Sequence, residues 1–311
     1  MPIHLPPTSR RSFLGGVAFG GAAMILPHPR RRAEADEPDR GGDYLALLAD
    51  THISHDPGMV VGEAYNPSDN LRAAVVDVLS RPRPPVAVVV AGDLAIKDGR
   101  EGDYRQFLSL VQPLRDRGVP VHLILGNHDD RENFRKVVAD PGAARPGTVE
   151  DRCVGVVEAA GMRLVLLDSL DVVNLAPGLL GDPQRAWLAK ALDAEPDAAT
   201  LVLVHHNPAA DSLASLKALA DTDLLMEILR PRKQVKALVF GHTHAWRRGL
   251  DDGLHLVNLP AVAYPFDEPQ PLGWCRLESH QDGRGATIEL RCIGGDRSKH
   301  GERAELAWRG A

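Results

Sequence analysis

The sequence predicts an α/β protein, a sandwich of sheets flanked by helices, and two observations lead to this fold class. Six short apolar runs recur from residue 44 onward, and each has about the length of one strand. Amphipathic segments with apolar residues at helical spacing lie between several of these runs. Strands that alternate with helices are typical of folds in which helices cover the faces of a sheet.

The predicted strands are YLALLA (44–49), VAVVVA (86–91), VHLILG (121–126), RLVLLD (163–168), TLVLVH (200–205) and ALVFG (237–241). Most of them are apolar at every position, which indicates strands that are covered on both faces. Three helices are predicted from apolar residues three and four apart: Leu71, Val75, Val78 and Leu79 behind a Ser68/Asp69 cap; Tyr104, Phe107, Leu108 and Val111; Trp187, Leu188, Ala191 and Leu192 after Pro183.

In the C-terminal part of the chain, the alternation of strands and helices gives way to a different sequence pattern. GWCRLESH and ATIELRCI flank Asp282-Gly283-Arg284-Gly285, which predicts a hairpin with its turn at Gly283-Arg284. That register places Cys275 opposite Cys292 on one face. An oxidising compartment favours a disulfide between such neighbours, but a directly cross-strand bond is often strained, so bonding is left open. The three cysteines have no metal-type spacing.

A chain of 311 residues has room for one large α/β domain or two small ones, and we predict a single domain, residues 43–311, that includes the hairpin. Apolar residues make up 44% of the chain and charged residues 25%, as in ordinary globular proteins. The formal net charge of −6 gives no global basic patch, so a nucleic-acid polymer is not an expected partner. Oligomeric state is open.

The N-terminus resembles a twin-arginine export signal. Ser9-Arg10-Arg11-Ser12-Phe13-Leu14 precedes the stretch GGVAFGGAAMILP, which is too short to span a bilayer, and Ala33-Glu34-Ala35 offers a small-x-small cleavage site. Gly15 departs from the pattern, because lysine is common there. A disordered basic tail is the alternative. We expect residues 1–35 to be the signal, residues 36–42 a linker, and the mature protein to be periplasmic or extracellular, without a membrane span.

Side chains of metal-ligand type follow five of the predicted strands. They are Asp50-Thr51-His52, Gly92-Asp93, Gly126-Asn127-His128-Asp129, His205-His206 and Gly241-His242-Thr243-His244. Because the carboxyl ends of strands in α/β folds converge on the ligand crevice, we expect these side chains to lie together. Nitrogen and oxygen donors without thiolates suit Zn, Mn, Fe or Co, and so many donors imply two ions with Asp93 as the bridge. The alternative is a set of polar residues that only cap strands.

The order of these five blocks resembles the calcineurin-like metallophosphoesterases over roughly Tyr44 to Asn258. The resemblance implies a four-layer α/β/β/α sandwich of two mixed sheets with a dinuclear metal site. GNHDDR is similar to the class III subgroup of cyclic-nucleotide and glycerophosphodiester phosphodiesterases. In the Ser/Thr protein phosphatases a glutamate follows the asparagine-histidine pair instead.

Carried over position by position, the resemblance implies a role for each residue. The implied ligands are Asp50, His52, Asp93 and His244 for the first ion, and Asp93, Asn127, His205 and His242 for the second. His128 would donate a proton to the leaving group, and Asp129 would orient His128. His205 is preferred to His206 because it lies at the strand end, although the doublet leaves both open.

The implied activity is hydrolysis of a small phosphoester, with a cyclic nucleotide or another small phosphodiester as the expected substrate. Two ions about 3.5–4 Å apart would hold the attacking hydroxide between them. One alternative is a phosphomonoesterase of broad specificity; its purple-acid kind is disfavoured because Ile96-Lys97-Asp98 fills the position of the tyrosine ligand. A metal-dependent scaffold is the other, and the filled ligand positions disfavour it. Arg131 is expected either to contact a phosphate oxygen or to pair with Asp130.

Overall fold

The computed structural model describes residues 3–7, 42–62, 64–138, 149, 151–209, 217–266 and 269–310. Most of the predicted export signal and linker lies outside the described residues. No helix within the described ranges is both long enough and apolar enough to cross a membrane.

Two sheets form the centre of the molecule. The described strands, in chain order, are β1 (Ile3–Leu5), β2 (Tyr44–Leu48), β3 (Ala87–Ala91), β4 (Val121–Ile124), β5 (Gly155–Ala159), β6 (Met162–Leu166), β7 (Thr200–Leu203), β8 (Val235–Phe240), β9 (Arg247–Asp251), β10 (Leu254–Asn258), β11 (Pro271–Ser279), β12 (Gly285–Gly295) and β13 (Arg303–Ala307). A seven-stranded sheet has the order β1-β4-β3-β2-β11-β12-β13, and a six-stranded sheet has the order β5-β6-β7-β8-β10-β9. Both sheets are mixed: β2, β3 and β4 are parallel, as are β6, β7, β8 and β10, and the outer strands are antiparallel.

The described helices are α1 (Pro67–Leu79), α2 (Glu101–Asp116), α3 (Arg131–Val137), α4 (Asp182–Asp193) and α5 (Thr222–Leu229). Helices α1, α2 and α3 pack on the outer face of the seven-stranded sheet, and α4 and α5 on the outer face of the six-stranded sheet. A third apolar layer lies between the two sheets. The predicted α/β/β/α sandwich is therefore confirmed.

Strand β2 shows why the predicted strands are apolar at every position. Tyr44, Ala46 and Leu48 pack toward the helices. Leu45 and Leu47 pack toward the second sheet. Both faces of the strand are thus buried, which removes the apolar–polar alternation of a half-exposed strand.

All six predicted strands are present, with small shifts at their ends. The first predicted helix is also present, but its cap is Asn66, whose side chain accepts from Asp69 N at 3.0 Å while Pro67 occupies the first turn. The apolar-run criterion missed β9 because that edge strand is largely exposed. It missed β1 because residues 1–42 were left out of the fold prediction; β1 pairs antiparallel with β4.

The predicted register of the C-terminal hairpin is wrong. Cys275 pairs with Leu290, and Cys292 pairs with Gly273, so the two cysteines are offset by two residues. The turn comes earlier than expected, because Gly283 N donates to His280 O at 3.0 Å and Asp282 Oδ1 accepts from Arg284 N at 2.9 Å. Both thiols are buried and unbonded.

Candidate metal centre

Five strand ends meet where the two sheets face each other. Strands β2, β3 and β4 bring Asp50, His52, Asp93 and Asn127, while β7 and β8 bring His205, His242 and His244. Backbone bonds join the strand ends within the first sheet: Asp50 N donates to Gly92 O at 3.1 Å and His52 N to Asp93 O at 2.9 Å. The His242 N–H crosses from the second sheet to both carboxylate oxygens of Asp50 at 3.1 Å.

The first group of donor atoms comes from Asp50, His52, Asp93 and His244. His52 Nε2 lies 2.9 Å from His244 Nε2 and 3.6 Å from Asp93 Oδ2. His244 Nε2 lies 3.5 Å from Asp50 Oδ1. All four residues are buried.

The second group comes from Asp93, Asn127, His205 and His242. His205 Nε2 lies 3.3 Å from Asp93 Oδ2, 3.3 Å from Asn127 Oδ1 and 3.3 Å from His242 Nδ1. The same carboxylate oxygen, Asp93 Oδ2, therefore borders both groups.

These separations fit metal ions. Ligand atoms about 2.0–2.2 Å from one cation lie roughly 3–3.6 Å from each other, and the neighbouring nitrogens and oxygens of both groups show this spacing. Two buried imidazole nitrogens such as those of His52 and His244 gain little by facing each other unless a cation lies between them. The donor set therefore fits two metal ions that share Asp93.

Three of the imidazoles are fixed by the ring nitrogen that faces away from the group. His205 Nδ1 donates to Ala91 O at 2.9 Å, His242 Nε2 to Lys217 O at 2.6 Å and His244 Nδ1 to Tyr264 O at 2.5 Å. A proton held on the outer nitrogen leaves the inner nitrogen with a free lone pair, which is the arrangement that metal-binding histidines need.

The backbone is strained at these residues. Five of the seven candidate ligands have left-handed backbone conformations, with φ of 54° at Asp50, 45° at His52, 49° at Asp93, 70° at His242 and 52° at His244. Such conformations cost about 1–3 kcal/mol each for residues other than glycine, and they persist only where the surrounding structure enforces them. Because five of them occur together here, the surrounding structure must hold the backbone in these unfavourable conformations, which direct the side chains toward the centre.

Two glycines leave room for the carboxylates. A Cβ on Gly126 would collide with the side chain and the backbone nitrogen of Asp93, and a Cβ on Gly241 would lie 2.8 Å from the Cβ of Ala49 and press on Asp50 Oδ2. Gly126 and Gly241, which precede two of the ligand blocks in the sequence, are therefore required by close packing.

Burial and charge set the protonation of the ligands. Burial raises the pKa of Asp50 to about 8 and lowers the pKa of His52 and of His242 to about 4. Burial opposes ionisation of both Asp93 and His205, but their mutual attraction outweighs it, so the pKa of Asp93 falls well below its usual range and that of His205 rises to about 9. His205 therefore pairs with the Asp93 carboxylate, and a metal ion bound at His205 Nε2 would take the place of the proton there.

His128 lies beside the two groups, and one of its ring nitrogens comes within 4.8 Å of donor atoms of His52 and Asp93. Its backbone N–H donates to Asp93 Oδ1 at 2.9 Å, and its Nδ1 donates to Lys97 O at 3.2 Å. Its ring centroid is 5.3 Å from that of His52. The imidazole is half-buried and its Nε2 is free of described protein contacts, so it is placed to exchange a proton with a molecule at the centre.

The expected contact between Asp129 and His128 is wrong. The Asp129 carboxylate accepts from Leu94 N at 3.1 Å, Ala95 N at 3.0 Å and Gly126 N at 2.8 Å. No hydrogen bond between Asp129 and His128 occurs in the described part of the chain. Asp129 instead joins the segments that follow β3 and β4, and the carbonyl of Lys97 orients His128.

The two adjacent histidines have different surroundings. His205 contacts Asp93 and Asn127, whereas His206 Nδ1 lies 2.7 Å from Ser169 Oγ. Ser169 Oγ also accepts from His206 N at 3.3 Å. The contacts of His205 with Asp93 and Asn127 favour it as the ligand. A ring nitrogen of His206 also lies within 4.8 Å of those of His205 and His242, so the choice of His205 over His206 stays a prediction.

Arg131 adopts neither of its two expected roles. Its guanidinium donates to both carboxylate oxygens of Asp168 at 2.8 Å and also to Leu170 O. Asp168 is fully buried at the end of β6, so the pair joins helix α3 to the second sheet. Arg131 is therefore a brace between the two halves of the molecule.

Sequence reasoning missed Tyr264. Its ring centroid lies 5.0 Å from that of His52 and 4.9 Å from that of His244. Burial raises the pKa of its phenol, and the nearby Asp93 and Asp50 raise it further. Tyr264 belongs to the loop that follows β10, where Val262 N and Ala263 N donate to Ala49 O and Asp50 O at 3.0 Å. No spacing in the sequence indicates this contact, because the loop is irregular.

The fold and the shared donor groups define a metal-dependent phosphoesterase, and comparison with known proteins agrees. The calcineurin-like phosphoesterase family profile matches residues 44–246. This chain therefore belongs to the calcineurin-like phosphoesterase family, and it is a hydrolase of phosphoesters that uses divalent metal ions.

Among curated proteins, the chain is 31% identical over 257 residues to a probable cyclic nucleotide phosphodiesterase of Synechococcus sp., which covers 79% of this chain and 92% of that protein. It is 28% identical to the 3′,5′-cyclic adenosine monophosphate phosphodiesterase CpdA of Vibrio vulnificus, over 81% of this chain and 90% of that protein. A dimetal phosphatase from Danio rerio has the same fold, with a TM-score of 0.65 at 19% identity over 86% of this chain and 99% of that one.

Proposed function

We propose that this protein is a dinuclear-metal phosphodiesterase that hydrolyses 3′,5′-cyclic nucleotides. The observation that carries the proposal is the pair of donor groups around Asp93 Oδ2, with His128 directly beside them. Relatives named as cyclic nucleotide phosphodiesterases, which align over most of this chain, support the choice of substrate.

Asp50, His52, Asp93 and His244 would hold one ion, and Asp93, Asn127, His205 and His242 the other. When bound, the ions supply Lewis acidity that activates water and neutralises charge on the phosphate. The mixed nitrogen and oxygen donors fit Mn, Fe, Zn or Co. Identity of the metal is tested by elemental analysis of the purified protein.

His128 has the role of general acid in this proposal. Ring opening of a cyclic phosphodiester releases a ribose alkoxide, which needs a proton because it is a poor leaving group. Hydrogen bonds from the His128 backbone to Asp93 and from its ring to Lys97 O hold the imidazole beside the donor groups. The ring therefore keeps its place while Nε2 is free to act.

A hydrolysis panel tests the function. Purified mature protein is assayed with Mn²⁺ against 3′,5′-cyclic AMP, 3′,5′-cyclic GMP, 2′,3′-cyclic AMP, a glycerophosphodiester and p-nitrophenyl mono- and diesters. We expect the highest kcat/KM for a 3′,5′-cyclic nucleotide. A preference for the monoester would instead support the broad phosphomonoesterase. Binding of metal without any turnover would support the scaffold.

We also propose that the protein is exported by a twin-arginine signal. The supporting observation is the Ser-Arg-Arg-x-Phe-Leu order ahead of a short apolar stretch. Cleavage after Ala35 would remove β1 and leave β4 at the edge of its sheet. Arg10→Lys with Arg11→Lys should keep the precursor uncleaved in the cytoplasm, and normal processing of this variant would contradict the proposal.

A further inference from the structure

An aromatic ring lies directly against the proposed metal centre without being part of either donor group. Phe266 stacks on His244, with ring centroids 3.8 Å apart and planes only 10° from parallel. His244 is in turn the residue whose Nε2 faces His52 and Asp50. The phenyl ring is therefore one ring away from the place where a phosphate would react.

The outer side of this ring faces solvent. Phe266 is 61% exposed, although burying a phenyl group normally stabilises a fold. Its inner face is occupied by His244, and the Tyr264 ring lies at its edge with centroids 6.1 Å apart. A bond from His244 Nδ1 to Tyr264 O holds this segment to the candidate ligand. The protein thus presents a positioned, flat apolar surface at the rim of the centre.

The opposite rim is built differently. Asn174 N donates to Asn127 O at 2.6 Å, which places the loop around residue 174 beside the second donor group. The exposed apolar side chains in that loop are Val172 and Leu175. Aliphatic groups of this kind give contact area but no π face. Of these two described rim segments, the one at Phe266 is therefore better suited to a planar ring.

We propose that the outer face of Phe266 is the stacking surface for the nucleobase of the substrate. The inference rests on the proposed function, because it assumes a cyclic nucleotide whose phosphate lies at the donor groups. Base–aromatic stacking accepts every base, since each base has a π face and phenylalanine offers no hydrogen bond with which to select one. The proposal therefore implies that adenine and guanine cyclic nucleotides are both substrates, with purines bound more tightly than pyrimidines.

The test compares Phe266→Ala with wild type on two substrates. Loss of a base–aromatic stack weakens binding roughly 5- to 150-fold, so KM for 3′,5′-cyclic AMP should rise by about that factor. Stacking acts equally on the ground state and the transition state, so kcat should change little. KM for glycerophosphoethanolamine, which has no ring, should stay within about twofold. Nitrophenyl esters are unsuitable controls because they carry rings.

Direct binding gives a second measurement that does not depend on turnover. Calorimetry of the metal-loaded protein with 5′-AMP should show weaker binding by the same factor in Phe266→Ala, while ribose 5-phosphate should bind both proteins equally. Phe266→Trp should restore AMP binding to at least the wild-type level, because it retains a larger stacking face.

Two control variants locate the effect. Leu250→Ala removes an apolar side chain of similar exposure, 65%, on edge strand β9, and it should leave all values unchanged. Leu175→Ala tests the opposite rim, and a selective loss of cyclic AMP there and not in Phe266→Ala would overturn the proposal.

Equal losses on both substrates, or a loss of bound metal in Phe266→Ala, would show that Phe266 only supports His244, and would also overturn it. Failure of the proposed function itself is distinguishable, since wild type would then hydrolyse no cyclic nucleotide before any variant is made.

Discussion

The two sheets contribute unlike chemistry to the same centre. The seven-stranded sheet supplies both carboxylates, the amide and the free imidazole of His128, together with one histidine donor. The six-stranded sheet supplies only histidines: His205, His242 and His244. All the formal negative charge of the donor groups therefore comes from one sheet, at Asp50 and Asp93.

This division has an electrostatic consequence. Two divalent ions held by only two carboxylates would keep an excess of positive charge, because imidazoles bind metals as neutral ligands. Excess positive charge in a buried site stabilises the additional negative charge that a phosphodiester develops during hydrolysis. In the proposed centre, the sheet that gives only histidines would thus fill coordination positions without cancelling the positive charge of the ions.

Replacing Asp93 should have the largest effect, because its carboxylate borders both donor groups. Asp93→Ala should lose both ions and lower kcat/KM by roughly 10³-fold or more, since Lewis acidity of the ions is worth several kcal/mol. His242→Ala, from the other sheet, should lose only the second ion. Elemental analysis of both purified variants measures this difference. Two ions retained in Asp93→Ala would contradict the assignment of the bridge.

Replacing His128 should separate chemistry from metal binding. His128→Ala should keep both ions while turnover of cyclic AMP falls about 10²- to 10⁴-fold. Turnover of bis(p-nitrophenyl) phosphate should fall much less, because nitrophenolate leaves without a proton. Steady-state kinetics on the two substrates, with metal content measured on the same samples, decide the matter. Similar losses for both leaving groups would count against a general acid.

The Arg131–Asp168 ion pair, which joins helix α3 to the six-stranded sheet, can be removed without changing a donor residue. Arg131→Ala removes the cation that pairs with the buried Asp168 carboxylate, which should lower the free energy of unfolding by about 3–5 kcal/mol. Lys136→Ala on the same helix removes an exposed pair with Glu132 and should cost less than about 1 kcal/mol. Urea denaturation of both variants measures the contrast. Equal stabilities would show that the Arg131 pair contributes nothing.

The smallest expected effect is at Gly241, where the second sheet presses on the first. Gly241→Ala should destabilise the fold by about 1–3 kcal/mol, because the new methyl group displaces Asp50 or Ala49. Gly249→Ala is a control at an ordinary packing distance, with Leu256 Cβ at 3.7 Å. Thermal unfolding with and without added Mn²⁺ should show that only the Gly241 variant gains less stability from metal.

Much of this protein follows from sequence alone. Local chemistry suffices to predict the central strands, since a run such as VAVVVA is stable only when both its faces are buried. The convergence of the donor residues follows too, because every block comes at the carboxyl end of a strand and such ends share one edge. These properties depend on neighbours in the chain, which a single sequence displays.

Contacts between distant segments were decided only by the tertiary structure. Asp129 has backbone donors after β3 as well as after β4, and Arg131 finds its partner 37 positions away at Asp168. The hairpin register depends on a turn at His280–Gly283, whereas the sequence predicted the turn at Gly283-Arg284. Phe266 became notable only because folding stacks it on His244. Pairing, burial and stacking of this kind depend on which segments meet in space, and no local pattern in the chain encodes that meeting.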